Sequence, residues 1–318
     1  MRAGVSTATV SRAINAPAAV SPVLGARVRT AMAALAFVPD EAARSLSSRH
    51  SRLIGVLAPT LRDDGWAAAV AGLEARLAGA GYATLLALTG GDAQREAAAA
   101  AALAGRAVEA VVAIGRTPGS AALAHLRERR ISLAGIDVDD IGATGTGPGG
   151  AWWRAGRTLG QFLLALGHAR CLWLTGDGAP SARATALRAG LGAALAAAAL
   201  PPPAEAIAGS GATLRVALAG AGRRPTALVC ADDSLALTAM CQLAADGVSV
   251  PRDLSVTGCG DTPAARHAVP PLTTLRVAYE AAGAATAERV LAQLRGEPAP
   301  RGELPIKLVV RQSTGPAR

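Results

Sequence analysis

Short aliphatic runs alternate with helix-length, alanine-rich stretches through most of this chain, and that alternation leaves few folds open. Leu53-Ile54-Gly55-Val56-Leu57-Ala58 reads as a buried strand, followed by a helix over Ala67–Ala78 and a strand over Tyr82–Leu88. Helix Ala93–Leu103, strand Ala110–Ile114, helix Ser120–Arg129 and strand Ile131–Ile136 continue the pattern. Strands this uniformly apolar are covered on both faces, so they belong to a parallel sheet with helices on each side. After a glycine-rich break at residues 142–150 the pattern restarts. Helix Ala151–Leu166, strand Cys171–Leu174, helix Arg183–Ala199, strand Ala206–Ala208 and helix Thr213–Ala219 come first. Strand Ala227–Ala231, helix Ser234–Ala245 and strand Leu254–Thr257 complete the second half. Late strands Thr273–Arg276 and Ile306–Val310, flanking helix Ala278–Arg295, are expected to cross back and stitch the halves together. The expected fold is α/β, with two doubly wound lobes of parallel sheet and a cleft between them. Ligands of such sheets bind outside the carboxyl ends of the strands, which makes the cleft the default site.

The first 52 residues are different. Ser6 to Asn15 reads as a short helix with Ser6 as its N-cap, and a second helix starts at Ser21-Pro22 and runs to about Phe37. Pro39 ends it, and Asp40 to Ser48 has the makings of a further turn or two. This segment is also where charge collects. The chain carries +9 overall; residues 1–52 hold seven arginines against Asp40 and Glu41, a net of +5. That front-loading points to an anionic partner for the N-terminus, nucleic acid or an acidic membrane surface.

Composition narrows the classes further. With 51% hydrophobic residues but only 4 Trp, 2 Tyr and 2 Phe, the core must be built from Ala, Leu and Val. No apolar run reaches the roughly 18–20 residues of a membrane span, and arginines interrupt the N-terminus where a signal peptide would be apolar. A cytoplasmic location is expected. Cys171, Cys230, Cys241 and Cys259 lie far apart with no histidine at ligand spacing, so reduced thiols are expected and no metal or cofactor.

Several segments together resemble one family. Gly4-Val5-Ser6-Thr7-Ala8-Thr9-Val10-Ser11-Arg12-Ala13-Ile14-Asn15 is similar to the helix-turn-helix signature of LacI/GalR-type transcriptional regulators. Val20-Ser21-Pro22, Phe37-Val38-Pro39, Ala43-Arg44-Ser45-Leu46 and Leu53-Ile54-Gly55-Val56 continue the match. Leu166-Gly167-His168, Val250-Pro251-Arg252-Asp253-Leu254-Ser255-Val256 and Pro270-Pro271-Leu272-Thr273-Thr274-Leu275 carry it to the end. The resemblance implies three parts. Residues 1–39 are a helix-turn-helix headpiece that lacks its first helix, and 40–52 a hinge helix and linker. Residues 53–318 are a periplasmic-binding-protein-like core for effector binding and dimerisation. Its first lobe covers about 53–147 and 277–304, its second about 148–272 and 305–318.

The implied function is a sequence-specific regulator, a repressor, that binds a pseudo-palindromic operator in double-stranded DNA as a homodimer. A small-molecule effector between the lobes, a sugar or related metabolite, would control it. By position, Thr7, Ala8 and Arg12 would face base edges, with Arg12 able to donate to both major-groove acceptors of guanine. Ser6, Thr9, Ser11 and Asn15 would hold phosphates. In the hinge, Leu46 would wedge open a minor-groove base step with Ala43 against the groove, and Arg44 would add salt-dependent attraction. In the cleft, Trp66, Asp137, Asp232 and Asp261 occupy effector-contact positions.

Departures from the pattern are equally specific. Met1 falls where the family's first helix should be ending, which implies either a native start about 8–12 residues upstream or a truncated headpiece. Asp40 stands where asparagine is usual. Gly260 replaces the first of two cleft acids, and the usual cleft arginine falls on Leu187, leaving Arg183 or Arg188 to substitute.

Two alternatives belong to other classes. Gly145-Thr146-Gly147-Pro148-Gly149-Gly150 satisfies the G-x-G-x-x-G of an NAD(P)-dependent oxidoreductase. But Pro148 stiffens the turn, and Trp152 and Trp153 crowd the helix start where a pyrophosphate needs close backbone approach. A sugar-binding protein without DNA binding would share the core but needs export.

Overall fold

The computed structural model describes the chain apart from residues 1–2, 16, 38–49, 63, 137, 139–149, 177–180, 209–213, 215–217, 219–223 and 299–304. It divides into two compact units, Met1–Arg52 and Leu53–Arg318.

The first unit holds helix α1 (Thr7–Asn15), a 3-10 turn (Pro17–Ala19) and helix α2 (Pro22–Ala34). Each helix begins on a serine. The Ser6 hydroxyl accepts from the Thr9 N–H at 3.2 Å, and Ser21 accepts from Leu24 ahead of Pro22, whose ring fixes the first helical turn. Helix α2 stops at Ala34, short of the expected Phe37. The chain turns left-handed at Ala36 (φ 46°), and the Phe37 N–H bonds back to the Met32 carbonyl at 2.9 Å, closing the helix early. Of this unit's described residues only Gly25 and Val28 are buried; Leu35 and Phe37 are exposed. The expected helix over Asp40–Ser48 lies outside the described residues, as does most of the one expected over Thr213–Ala219.

The second unit contains both sheets. The first has the order β2-β1-β3-β4, all parallel: β1 (Leu53–Ala58), β2 (Ala83–Leu88), β3 (Ala110–Ile114) and β4 (Ser132–Ile136). Helices α3 (Asp64–Gly79), α4 (Ala93–Gly105) and α5 (Ser120–Glu128) connect them. The inner strands β1 and β3 are buried almost throughout, whereas edge strand β2 alternates and exposes Leu86 and Leu88.

The second sheet has the order β10-β9-β8-β7-β5-β6. Its strands are β5 (Cys171–Thr175), β6 (Ala204–Ile207), β7 (Ala227–Cys230), β8 (Ser255–Gly260), β9 (Thr273–Val277) and β10 (Ile306–Val309). Its helices are α6 (Ala151–Ala165), α7 (Ala182–Ala197), α8 (Asp233–Ala245) and α9 (Pro263–His267). Strand β8 runs three residues beyond its expected end at Thr257, which delivers Gly260 and Asp261 to the sheet's carboxyl edge. The late strands both belong to this sheet, β10 antiparallel to β9. The crossing is made by helix α10 (Tyr279–Leu294) between them, which packs on α3 and β4 of the first sheet.

Glycines set how closely the helices meet. A Cβ at Gly72 would strike the Glu280 carbonyl, and one at Gly283 the Ala69 carbonyl, so α3 and α10 touch backbone to backbone. Gly156 and Gly190 do the same for α6 and α7 against Leu187 and Trp153. Close approach substitutes for the scarce aromatic volume, and a continuous core links Ile54, Val56, Ile114, Trp152, Trp173, Leu187 and Val290 across both sheets.

His168, just past α6, is buried. Its Nδ1 lies 3.0 Å from the Thr226 hydroxyl and its Nε2 2.9 Å from the Gly315 carbonyl, tying the C-terminal segment to the sheet. Burial pushes its pKa below the ordinary 6.5 even though the Gly315 bond pulls the other way. The unfolded chain therefore takes up the proton first as pH falls. The stabilisation is complete above 6.5 and declines below it, by at most about 1.4 kcal/mol per pH unit. Urea unfolding midpoints between pH 8 and 5 should show this decline, and His168→Gln should flatten it.

Candidate effector cleft and nucleic-acid interface

Helix α1 presents a polar face by its own periodicity. Thr7, Ala8, Ser11 and Arg12 fall on one side of the helix and are exposed, while Val10, Ala13 and Ile14 are half-buried. Ser6 and Thr9 also share a hydroxyl contact of 3.0 Å, so these two side chains are engaged with each other at the helix start. The Asn15 side chain, and hinge residues Ala43, Arg44 and Leu46, lie outside the described residues.

In the core, three side chains from separate elements meet at the carboxyl edges of the sheets. Trp66 enters from the first turn of α3, and its indole packs on Gly115 just past β3, where a Cβ would collide with the ring. Tyr279 opens α10 and lies on Gly65 in the same way. Arg183, in the first turn of α7, holds its guanidinium carbon 5.1 Å from the Trp66 ring centroid and donates to the Tyr279 hydroxyl at 2.7 Å. A cation over an indole face is attracted by the ring quadrupole, more so where water is scarce, and Trp66 and Tyr279 are only 8% and 4% exposed. The trio joins helices packed on different sheets.

Beside it lies a cavity of about 870 Å³. Gly65, Ala68 and Gly72 of α3 form one wall, Gly260, Asp261, Thr262 and Arg266 another, and Arg276, Tyr279 and Glu280 complete it.

Asp261 sits at this cavity in a left-handed conformation (φ 57°) with its carboxylate almost fully buried. Arg276 donates at 2.5 Å, Arg266 at 3.3 Å, and Arg311 also donates. Burial alone would raise its pKa; the Arg311 and Arg276 hydrogen bonds outweigh that and hold the carboxyl below its ordinary value. Asp233 behaves oppositely. It accepts from the Thr274 hydroxyl at 2.6 Å and the Thr262 N–H at 2.8 Å, yet burial dominates and raises its pKa. It clamps α8 to β9 and to the loop after Asp261.

The expected cleft residues thus separate. Trp66 and Arg183 are brought together and Asp261 lies at the cavity. Asp232 is spent on capping α8, accepting the Leu235 N–H at 2.8 Å. Arg188 does not accompany Arg183; it pairs with Glu205 on edge strand β6. Leu187, at the family's arginine position, is buried in the core. Asp137 and residues 145–149 of the glycine motif lie outside the described residues. Sequence reasoning missed Tyr279, Arg266, Arg276 and Arg311, because no spacing connects positions so far apart in the chain.

No helix among the described residues is long and apolar enough to cross a membrane.

Comparison with known proteins places these features in a family. Residues 1–40 match the model for bacterial regulatory proteins of the lacI family, and residues 161–314 that for a periplasmic binding protein-like domain. The transcriptional regulator DegA of Bacillus subtilis (strain 168) is 27% identical over 336 residues, covering 99% of this chain and 96% of its own length. The lactose operon repressor of Escherichia coli (strain K12) is 29% identical over 320 residues, covering 98% and 88%. In structure, the Lac repressor dimer bound to operator and the anti-inducer ONPF superposes with a TM-score of 0.85 at 27% identity, covering 99% and 97%. These relatives are regulators and not enzymes, which favours the regulator over the oxidoreductase and the free sugar-binding protein. With a headpiece match and a core match in chain order, and full-length likeness in sequence and structure, the chain is similar throughout to bacterial regulatory proteins of the lacI family.

Proposed function

We propose that this chain is a cytoplasmic homodimeric repressor that binds a pseudo-palindromic operator and is controlled by a small molecule between its lobes. The observation that carries the reading is the serine-capped helix α1 with Thr7, Ala8, Ser11 and Arg12 on its open face, followed by a two-sheet core with a cavity at the strand ends. Arg12 reads guanine, Thr7 and Ala8 contact base edges, and Ser6, Thr9, Ser11 and Asn15 set register on phosphates. Leu46, Ala43 and Arg44 serve the minor groove. Residues 1–39 act as headpiece, 40–52 as hinge and the remainder as core. The core's lobes are about 53–147 with 277–304, and 148–272 with 305–318.

Effector binding alters the lobe angle, and the two headpieces of a dimer then fit or miss their half-sites. Trp66, Arg183 and Tyr279 form the contact that such a change would remake. The reading is tested by selecting sites from a randomised duplex pool with the full chain. Two-fold symmetric sites should be enriched, with affinity falling steeply as salt rises from 50 to 200 mM. Absence of a symmetric site, or binding indifferent to salt, removes the operator reading.

A further inference from the structure

Among the described residues, the acids expected to bind the hydroxyls of a neutral ligand are committed elsewhere in this cleft. Asp261 is buried among arginines, Asp232 caps α8, and position 260 is glycine. The cations are placed differently. Arg266 and Arg276 line the cavity, with side chains 50% and 52% exposed. Among the described residues, Asp261 is the acid within ion-pair distance of Arg266, Arg276 and Arg311, so three guanidiniums share one negative charge. Arg276 gives its Nε to Asp261, and Arg266 gives one Nη to the Asp261 carboxylate and carbonyl oxygens. The other donors of both forks remain on side chains that line the cavity. Glu280 lines it too, and Arg76 on the far wall is paired with Glu288. Neither Glu280 nor Glu288 forms an ion pair with Arg266 or Arg276 among the described contacts.

Resting on the reading of this cleft as the effector site, we propose that its effector is an anion: a small organic molecule whose phosphoryl or carboxylate group is held by Arg266 and Arg276. A guanidinium fork matches the oxygens of either group through two parallel hydrogen bonds. Arg311 is the most enclosed of the three arginines, with a side chain 15% exposed, and stays on Asp261 while the other two turn to the ligand. The buried carboxylate is then never left without a cation.

Inorganic pyrophosphate and citrate are the probes, titrated into the full chain at constant ionic strength and followed by calorimetry and thermal unfolding. Saturable binding of at least one is expected, with none for a neutral disaccharide. Whichever binds identifies the phosphoryl or the carboxylate source. Arg266→Gln should weaken binding about tenfold, Arg266→Lys less, and the Arg266→Gln/Arg276→Gln pair should abolish it. The single Arg266→Gln change leaves Asp261 with two arginines, so it reports on binding even if the pair fails to fold. Absence of saturable binding by both anions overturns the proposal, as does binding that Arg266→Gln leaves unchanged. Duplex binding is measured on the same preparation. Retained operator binding without anion binding removes the anion and leaves the regulator, whereas loss of salt-dependent duplex binding removes the regulator reading itself.

Discussion

Arg12→Ala is expected to cut operator affinity by about 2–6 kcal/mol per dimer, roughly thirtyfold to more than ten-thousandfold. The range follows from one bidentate guanine contact, about 1–3 kcal/mol, lost in each of two symmetric half-sites. The loss should be confined to sites with the preferred base. Opposite Arg12, Arg12→Ala should relax the base preference, while a phosphate-binding side chain such as Ser11 should affect all sequences alike. Titration of the selected duplex and its single-base variants separates these outcomes, and unchanged affinity for the preferred site would exclude α1 as the reading helix. Unit Leu53–Arg318 should keep its stability, because Arg12 is an exposed residue of the other compact unit.

The second large effect concerns stability. Asp261→Asn removes the charge shared by Arg266, Arg276 and Arg311, and should cost about 2–4 kcal/mol in urea unfolding. That is below the full cost of breaking a buried pair, because Arg266 and Arg276 are half exposed and regain water. The enclosed Arg311 does not. The pH dependence has a definite sign. Asp261 has a folded pKa below its ordinary value of 3.8, so its contribution is complete above 3.8 and is lost as pH falls through that lower value. The wild-type chain should lose this stability under acid, and Asp261→Asn should not. Equal acid sensitivity in both would place the ion-pair contribution elsewhere.

How much of this was legible beforehand varies by element. Strands β1, β3 and β7 stand out as apolar runs, since burial on both faces leaves little choice of residue. The starts of α1 and α2 are marked by Ser6 and Ser21, whose capping is a local interaction between neighbours in sequence. The end of α2 was misplaced because its stop is a backbone reversal at Ala36, a residue with no turn signature. Arg183 and Arg188 part company for a reason that lies outside their own helix. Both lie on α7 five residues apart, and only the position of β6 beside the helix decides that Arg188 meets Glu205.

The sequence by itself determined the alternation of strands and helices and the capped and basic N-terminal helix pair. All of these rest on periodicity or on contacts within one turn, which survive in a linear reading. Tertiary structure alone decided the chemistry of the cleft. Asp261 gathers arginines from positions 266, 276 and 311, and Trp66, Arg183 and Tyr279 converge from three helices. The first group meets only when the strands of the second sheet pair, and the second only when helices packed on different sheets come together. Whether an acid faces a ligand or is consumed by its neighbours is therefore not written in the chain order.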